Sequence, residues 1–177
     1  MAAVKWILDP THSEIQFKIR HLMITNVSGS FGKFSAEVET TEENFETAKI
    51  NFSADVDSIT TNNEQRDAHL KSADFFEIAK HPKLLFVSTK IERVTGEEYT
   101  LYGDISFHGI TKSVKLKVEH GGLIKDPWGN TRTGFTIEGK ISRKDFGLVW
   151  NAATEAGGVV VGDEVKLHAS VEFVKEA

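Results

Sequence analysis

Apolar and polar residues alternate one for one along most of this chain. That period of two limits the fold more than any other feature, because only an extended strand sends successive side chains to opposite faces. Ile15, Phe17 and Ile19 stand on one side of the first long run, with Glu14, Gln16, Lys18 and Arg20 on the other. Ala48, Ile50, Phe52, Ala54 and Val56 oppose Lys49, Asn51, Ser53, Asp55 and Asp57. Val165, Leu167, Ala169, Val171 and Phe173 oppose Lys166, His168, Ser170 and Glu172. The alternation predicts strands over residues 13–24, 27–39, 46–58, 83–94, 98–109, 112–122, 131–142 and 162–175, with residues 6–8 as a short lead-in. Runs of about ten residues span about 30 Å, longer than the usual strand of about five or six residues. The short connections at 95–97 and 108–111 point to antiparallel neighbours. Eight such strands would leave two long edges unless the sheet closes. The expected fold is therefore all-β, an eight-stranded antiparallel barrel forming one domain over residues 1–177.

One segment breaks the alternation. Residues 60–82 contain no glycine and end at Pro82; Thr61 or Asn62 can cap a helix start, and Glu64 supplies negative charge in its first turn. They predict a helical insertion near residues 62–80, placed to cover a barrel end. Phe75 and Phe76 are adjacent and cannot share a helix face, so at least one is expected to plug that end.

Charge and composition exclude several classes. The formal net charge of −5 lacks the clustered Lys and Arg that nucleic-acid binding requires. No apolar run approaches the roughly 18 residues of a spanning helix, so the chain is not expected to be membrane-embedded. Residues 1–10 have neither the basic start nor the apolar stretch of a signal peptide, which predicts a cytoplasmic chain. The absence of cysteine removes disulfides and thiolate chemistry. Twelve phenylalanines against two tyrosines and three tryptophans give aromatic surface with few polar atoms, suited to a plain core or to an apolar ligand.

The seven histidines show no HExxH, no HxH and no helical i, i+4 pairing, so neither a metal centre nor a cofactor is expected. His21 continues the inward face of Ile15, Phe17 and Ile19, which puts it at a barrel rim or inside the barrel; the better reading is a hydrogen-bonded structural histidine near a strand end. His12 follows Asp9-Pro10 in a turn. Arg66 and His69 can share a helix face, whereas Asp67 and His69 cannot, which makes Asp67–His69 poor geometry for a catalytic dyad; the better reading is that this cluster anchors the helix to strand ends. No GxSxG occurs, Ser28-Gly29-Ser30 lies between two strands, and neither Gly121-Gly122 nor Gly157-Gly158 leads into a phosphate loop. The small-residue stretch 152–162 suits a loop at a barrel mouth. Alternation assigns Phe17, Ile19, Phe31, Phe52, Phe86, Leu101, Ile105, Phe107, Phe135 and Ile137 to the inner lining, with Phe75 or Phe76 from the helical cover. His21, Arg66 and His12 are the polar candidates at the rim.

An ordered set of motifs over nearly the whole chain resembles the YceI-like family. It runs Trp6-x-x-Asp9-Pro10-x-His12-Ser13-x-Ile15-x-Phe17, His21, Val27-x-Gly29-x-Phe31, Arg66-Asp67-x-His69-Leu70, Phe75-Phe76, Pro82 and Phe86-x-Ser88. It continues through Gly109-x-Thr111-Lys112, Asp145-Phe146-Gly147, Trp150 and Gly162-x-x-Val165. The resemblance implies a lipocalin-like barrel whose apolar interior holds a polyisoprenoid, a quinone-like tail or another lipid-like chain for storage or transport, without catalysis. It also implies a homodimer, and family members are often exported, unlike the cytoplasmic expectation for this chain. Two other readings fit the residues alone: an enzyme on an apolar substrate using a cavity histidine such as His21, and a ligand-free stress-response interaction module.

Overall fold

The alternating segments extend into strands in a computed structural model that describes residues 3–151 and 160–176. The strands are β1 (Ala3–Leu8), β2 (Glu14–His21), β3 (Thr25–Phe31), β4 (Phe34–Thr41), β5 (Asn44–Asp55) and β6 (Ile59–Thr60), followed by the helix α1 (Glu64–Lys71). After it come β7 (Lys83–Thr95), β8 (Glu98–Phe107), β9 (Ile110–Lys125), β10 (Thr131–Ser142) and β11 (Val161–Lys175). Three pairs act as kinked halves of one barrel position. β2 lies against β11 from Ile19↔Val165 to Glu14↔Ser170, and β1, beyond the 3₁₀ turn Pro10–His12, takes up the same neighbour at Leu8↔Phe173. β3 and β4 divide likewise between β2 and β1, and β5 and β6 between β4 and β3. With halves counted together, eight positions follow one another in chain order, each antiparallel to the next, and β1 closes the barrel by pairing with both β4 and β11.

Several boundaries differ from those the alternation predicts. Residues 6–8, read as a lead-in, belong to a full strand that closes the sheet. The run 13–24 ends at His21, because Leu22 and Met23 adopt φ of 52° and 60° in the turn to β3. The run 27–39 is split in two, and 46–58 gives way to a 3₁₀ turn at Val56–Ser58. The insertion is helical only over Glu64–Lys71. Neither Thr61 nor Asn62 caps it: Asn63 does, its side-chain oxygen accepting from the Arg66 backbone N–H at 2.9 Å. The helix stops where Phe76 N–H turns back to the Leu70 carbonyl at 2.9 Å, and the rest of the insertion is a series of turns. No helix among the described residues is long and apolar enough to cross a membrane.

The two barrel ends are unequal. One carries the insertion, the β2–β3 and β8–β9 turns and the β10–β11 connection; the other carries only short turns and the chain ends. At this second end the core is dense. Trp6 is fully buried, donates from Nε1 to Thr40 Oγ1 at 3.1 Å and meets the Phe45 ring at 5.2 Å; Phe45 in turn touches Phe135 at 5.1 Å. These rings close the barrel floor, and the strand wall stands above them. In that wall the Phe86 ring crosses Gly103, where a Cβ would fall 2.4 Å from Phe86 Cζ and 2.6 Å from the Val87 carbonyl oxygen. A glycine there lets the phenylalanine lie flat between strands. Gly103→Ala is therefore expected to lower stability by about 1–3 kcal/mol through overpacking, read as a lower urea midpoint. An unchanged midpoint would show that the ring does not depend on this gap.

Candidate functional site

Inward-facing residues of all eight barrel positions enclose a cavity of about 450 Å³, within the range of small-molecule sites. Its lining runs along β11 from Val161 to Phe173, about 40 Å of strand at 3.3 Å per residue. A volume that small spread over such a length makes a narrow tube. Its walls are carbon except at the insertion end and at the cross-strand pair Gln16 and His168. An eight-stranded barrel has just this interior, filled by side chains or wide enough for one slender guest.

The residues assigned to the lining all border this tube. β2 supplies Phe17 and Ile19, with His21 at its mouth end; β3 gives Phe31, β5 gives Phe52 and β7 gives Phe86. Leu101, Ile105 and Phe107 come from β8, Phe135 and Ile137 from β10, and Arg66, Phe75 and Phe76 from the insertion. Both Phe75 and Phe76 are buried, in keeping with the expectation of at least one, because α1 ends before them and turns aim both inward. Phe76 meets Phe107 at 5.1 Å, and Phe75 meets Trp150 at 5.3 Å. His12 is not at the rim. Its ring is 63% exposed on the outer surface, bonded to Asp9 Oδ2 at 2.8 Å. Most of the stretch 152–162 lies outside the described residues.

The polar groups gather at the mouth. Arg66 donates from Nε to Thr61 Oγ1 at 2.8 Å and from a terminal nitrogen to the Thr61 carbonyl at 2.7 Å, while Asp67 accepts the Thr61 backbone N–H at 2.9 Å. These bonds fix α1 to the end of β6, the anchoring role expected of the cluster. Asp67 and His69 part company: His69 Nε2 bonds Asp74 at 2.8 Å, and both side chains are open to solvent, at 39% and 55% exposure. His69, rather than His21, is thus the mouth histidine with a bonded carboxylate. Alternation missed the buried Arg143, which donates to the carbonyls of Gly162, Leu148 and Trp150 at 2.8, 2.6 and 2.9 Å. Its parity with Phe135, Ile137 and Ile141 was the available signal, masked by its charge.

Two histidines are shifted in opposite directions. His120 sits in the floor, its ring stacked on Phe135 at 4.8 Å, with Nε2 bonded to Thr133 Oγ1 at 2.7 Å. Thr133 gives its own proton to the Gly122 carbonyl, so His120 Nε2 is the donor. Burial pushes the His120 pKa below the ordinary value of 6.5, partly opposed by Glu97. His12 is raised by its bond to Asp9 and by that residue's charge. Asp9 is held far below the usual carboxylate range, chiefly by the Thr11 hydroxyl and then by His12, with Arg132 also contributing.

Comparison with known proteins places this geometry. A sequence profile described as the YceI-like domain matches residues 6–173. A UPF0312 protein of Staphylococcus aureus strain MSSA476 is 40% identical over 166 residues, covering 93% of this chain and 94% of that protein. The crystal structure of a Campylobacter jejuni YceI protein superposes with a TM-score of 0.77 at 31% identity, covering 89% of this chain and 90% of that one. A domain from Saccharophagus degradans, described as polyisoprenoid-binding and implicated in plant cell wall breakdown, shares the fold with a TM-score of 0.65 at 14% identity, covering 97% and 98%.

The histidine shifts give a test of the floor. The folded His120 pKa lies below the unfolded one, so in the window between them the unfolded chain binds a proton that the folded chain does not, and stability falls as pH drops below about 6.5. His12 acts with the opposite sign, losing its contribution as pH rises above 6.5. In an NMR titration of the imidazole C–H signals, His120 is expected to titrate below 6.5 and His12 above it. A His120 midpoint above 6.5 would mean that Glu97 outweighs burial.

Proposed function

We propose that this chain, which belongs to the YceI-like domain family, is a non-enzymatic binding protein that carries one long apolar chain, of the polyisoprenoid or quinone-tail type, inside its barrel. The observation that carries this reading is the shape and chemistry of the cavity: a narrow tube with carbon walls, closed by aromatic rings at one end and polar at the other, with Gln16 and His168 the one polar pair named between them. Burial of each five-carbon unit in such a tube is worth about 3–4 kcal/mol at roughly 0.8 kcal/mol per methylene. An empty dry void of about 450 Å³ would instead cost on the order of 10 kcal/mol, comparable with the whole stability of a domain. Water is a poor filler, since most of the wall offers it no hydrogen-bond partner. The description of the S. degradans domain as polyisoprenoid-binding is in keeping with the same ligand class.

In this reading the tail points toward Trp6 and Phe45 and the head group meets the mouth, where Arg66, His21 and His69 stand. Arg66 uses Nε and one terminal nitrogen on Thr61, and a guanidinium has five N–H donors in all. It can bind a polar head while still anchoring α1.

Organic-solvent extraction of the purified protein followed by mass spectrometry is expected to release a long-chain apolar lipid. Ala169 faces the tube and Ser170 the outside. Ala169→Trp should therefore cut lipid retention at least tenfold in a protein that stays folded by circular dichroism, and Ser170→Trp should leave it unchanged. Repeated absence of lipid from the wild type, together with no uptake of an added polyprenol, would overturn the reading.

A further inference from the structure

Behind the mouth, outside the tube lining, the molecule holds a cluster that carriage of an apolar chain does not use. His108 and Gly109 form the tight turn from β8 to β9, with φ of 54° and 75°. Asparagine or aspartate is the usual first residue of such a turn, so a histidine held there keeps an unfavourable backbone. Its ring is oriented by the β10–β11 connection: Nδ1 lies 2.8 Å from the Phe146 carbonyl. A carbonyl only accepts, so the proton is on Nδ1 and Nε2 presents a lone pair. That Nε2 is buried and has no hydrogen-bond partner, the only such side-chain atom among the described residues. Buried polar atoms are rarely left so.

Two residues of the insertion face the same place. The His81 ring lies 4.9 Å from the His108 ring at 67°. Glu77, four residues before His81 and also at positive φ, is joined to it by the His81 N–H to Glu77 carbonyl bond of 3.0 Å. One ligand atom from each of Glu77, His81 and His108 lies within 4.8 Å of the other two. Zn²⁺ holds such ligands at about 2.0–2.2 Å, so the three side chains would close in on a bound ion. We propose that Glu77, His81 and His108 form a binding site for a divalent transition-metal ion, with Zn²⁺ as the ion best suited to two imidazoles and one carboxylate. The Nδ1–H to carbonyl bond of His108 is the outer-shell contact that metal-bound histidines generally make. A fourth position is left for water or a small anion.

A second group, Asp9, His12 and Glu172, has similar spacing. There Arg132 already donates to Asp9 at 2.9 Å and to Glu172 at 2.8 Å, so the positive charge that the carboxylates call for is supplied by the protein. At the proposed site the only cation paired with Glu77 among the described residues is Lys80, at 3.2 Å and 72% exposed, and such surface pairs are weak. Glu77 and His81 stand four apart in the sequence, but they sit in turns past the end of α1 and His108 arrives from a distant hairpin, so only the fold assembles the site. An ion here would tie the insertion, the β8–β9 turn and, through the Phe146 carbonyl, the β10–β11 connection into one cap over the tube.

The test uses the full chain without a polyhistidine tag, stripped with EDTA and titrated calorimetrically with Zn²⁺ and separately with Mg²⁺. One Zn²⁺ per chain with micromolar or tighter affinity is expected, with no Mg²⁺ binding. Zn²⁺ at 100 times its dissociation constant should raise Tm by about 5–10 °C. Glu77→Gln and His81→Gln, each outside the hairpin turn, should weaken binding at least tenfold, and His12→Gln should leave it unchanged. In the wild type the His81 and His108 ring signals should shift on Zn²⁺ addition, a readout that needs no variant. Failure to bind one equivalent of Zn²⁺ would overturn the proposal, as would binding lost in His12→Gln but kept in His81→Gln. None of these measurements depends on whether a lipid occupies the barrel.

Discussion

Closure of the sheet depends on the six residues Ala3–Leu8, which hydrogen-bond to β4 on one side and to β11 on the other. Without them, β4 and the last residues of β11 would present unpaired backbone groups and a sticky edge. With them, the backbone groups of the wall are satisfied within a single layer, and no second sheet is needed to cover the inner face. A single closed layer can therefore stay hollow, which a sandwich of two packed sheets cannot. The kinks at Pro10–His12 and Val56–Ser58 serve this closure. They let one stretch of chain change neighbours partway along the barrel.

A hollow barrel must draw its packing energy from its ends. At the floor, Trp6, Phe45, Phe135 and His120 interlock at ring separations near 5 Å, and Trp6 and His120 satisfy their polar atoms on Thr40 and Thr133. On the outside near this end, Arg132 joins Asp9, Asp126 and Glu172, binding β10 to β11, to the kink after β1 and to the β9–β10 turn. At the mouth the work falls to two arginines whose hydrogen bonds go to backbone or hydroxyl oxygens, with Asp163 a looser ion-pair partner of Arg143 at 3.8 Å. Arg66 holds the insertion to β6, and the buried Arg143 gathers the carbonyls of the β10–β11 connection. Burial lowers the Arg143 pKa, with Asp163 opposing it. The mouth is thus held by directional bonds to irregular backbone, and the floor by dense apolar packing.

Much of this was legible in the residues. A period of two states which side chains share a face, and a closed barrel turns that face into the lining, so the sequence alone places Phe17, Phe52, Phe86 and Phe135 there. The same logic reaches Arg143, which shares the parity of Phe135 and Ile137; its charge hid it, because carbonyl partners that make a buried guanidinium tolerable come from residues up to 19 positions away. The helix of the insertion stops at Lys71, short of the expected residue 80, for a related reason. Nothing local forbids a helix through Phe75 and Phe76, but a helix would bury only one ring, whereas turns bury both. His12 was drawn toward the rim by its neighbourhood in sequence, and the turn at Pro10 carries it outward to Asp9.

The sequence by itself determined the architecture and the character of the interior. Both follow from local rules: alternation, strand length, short turns and the placement of phenylalanines on one parity. Only the tertiary structure decided how the barrel ends are built. Closure by β1, the aromatic floor and the arrival of His108 beside Glu77 and His81 join residues far apart in the chain. Such contacts are set by the stagger and kinks of a closed sheet, and no periodicity along the chain encodes which loop will arrive beside which.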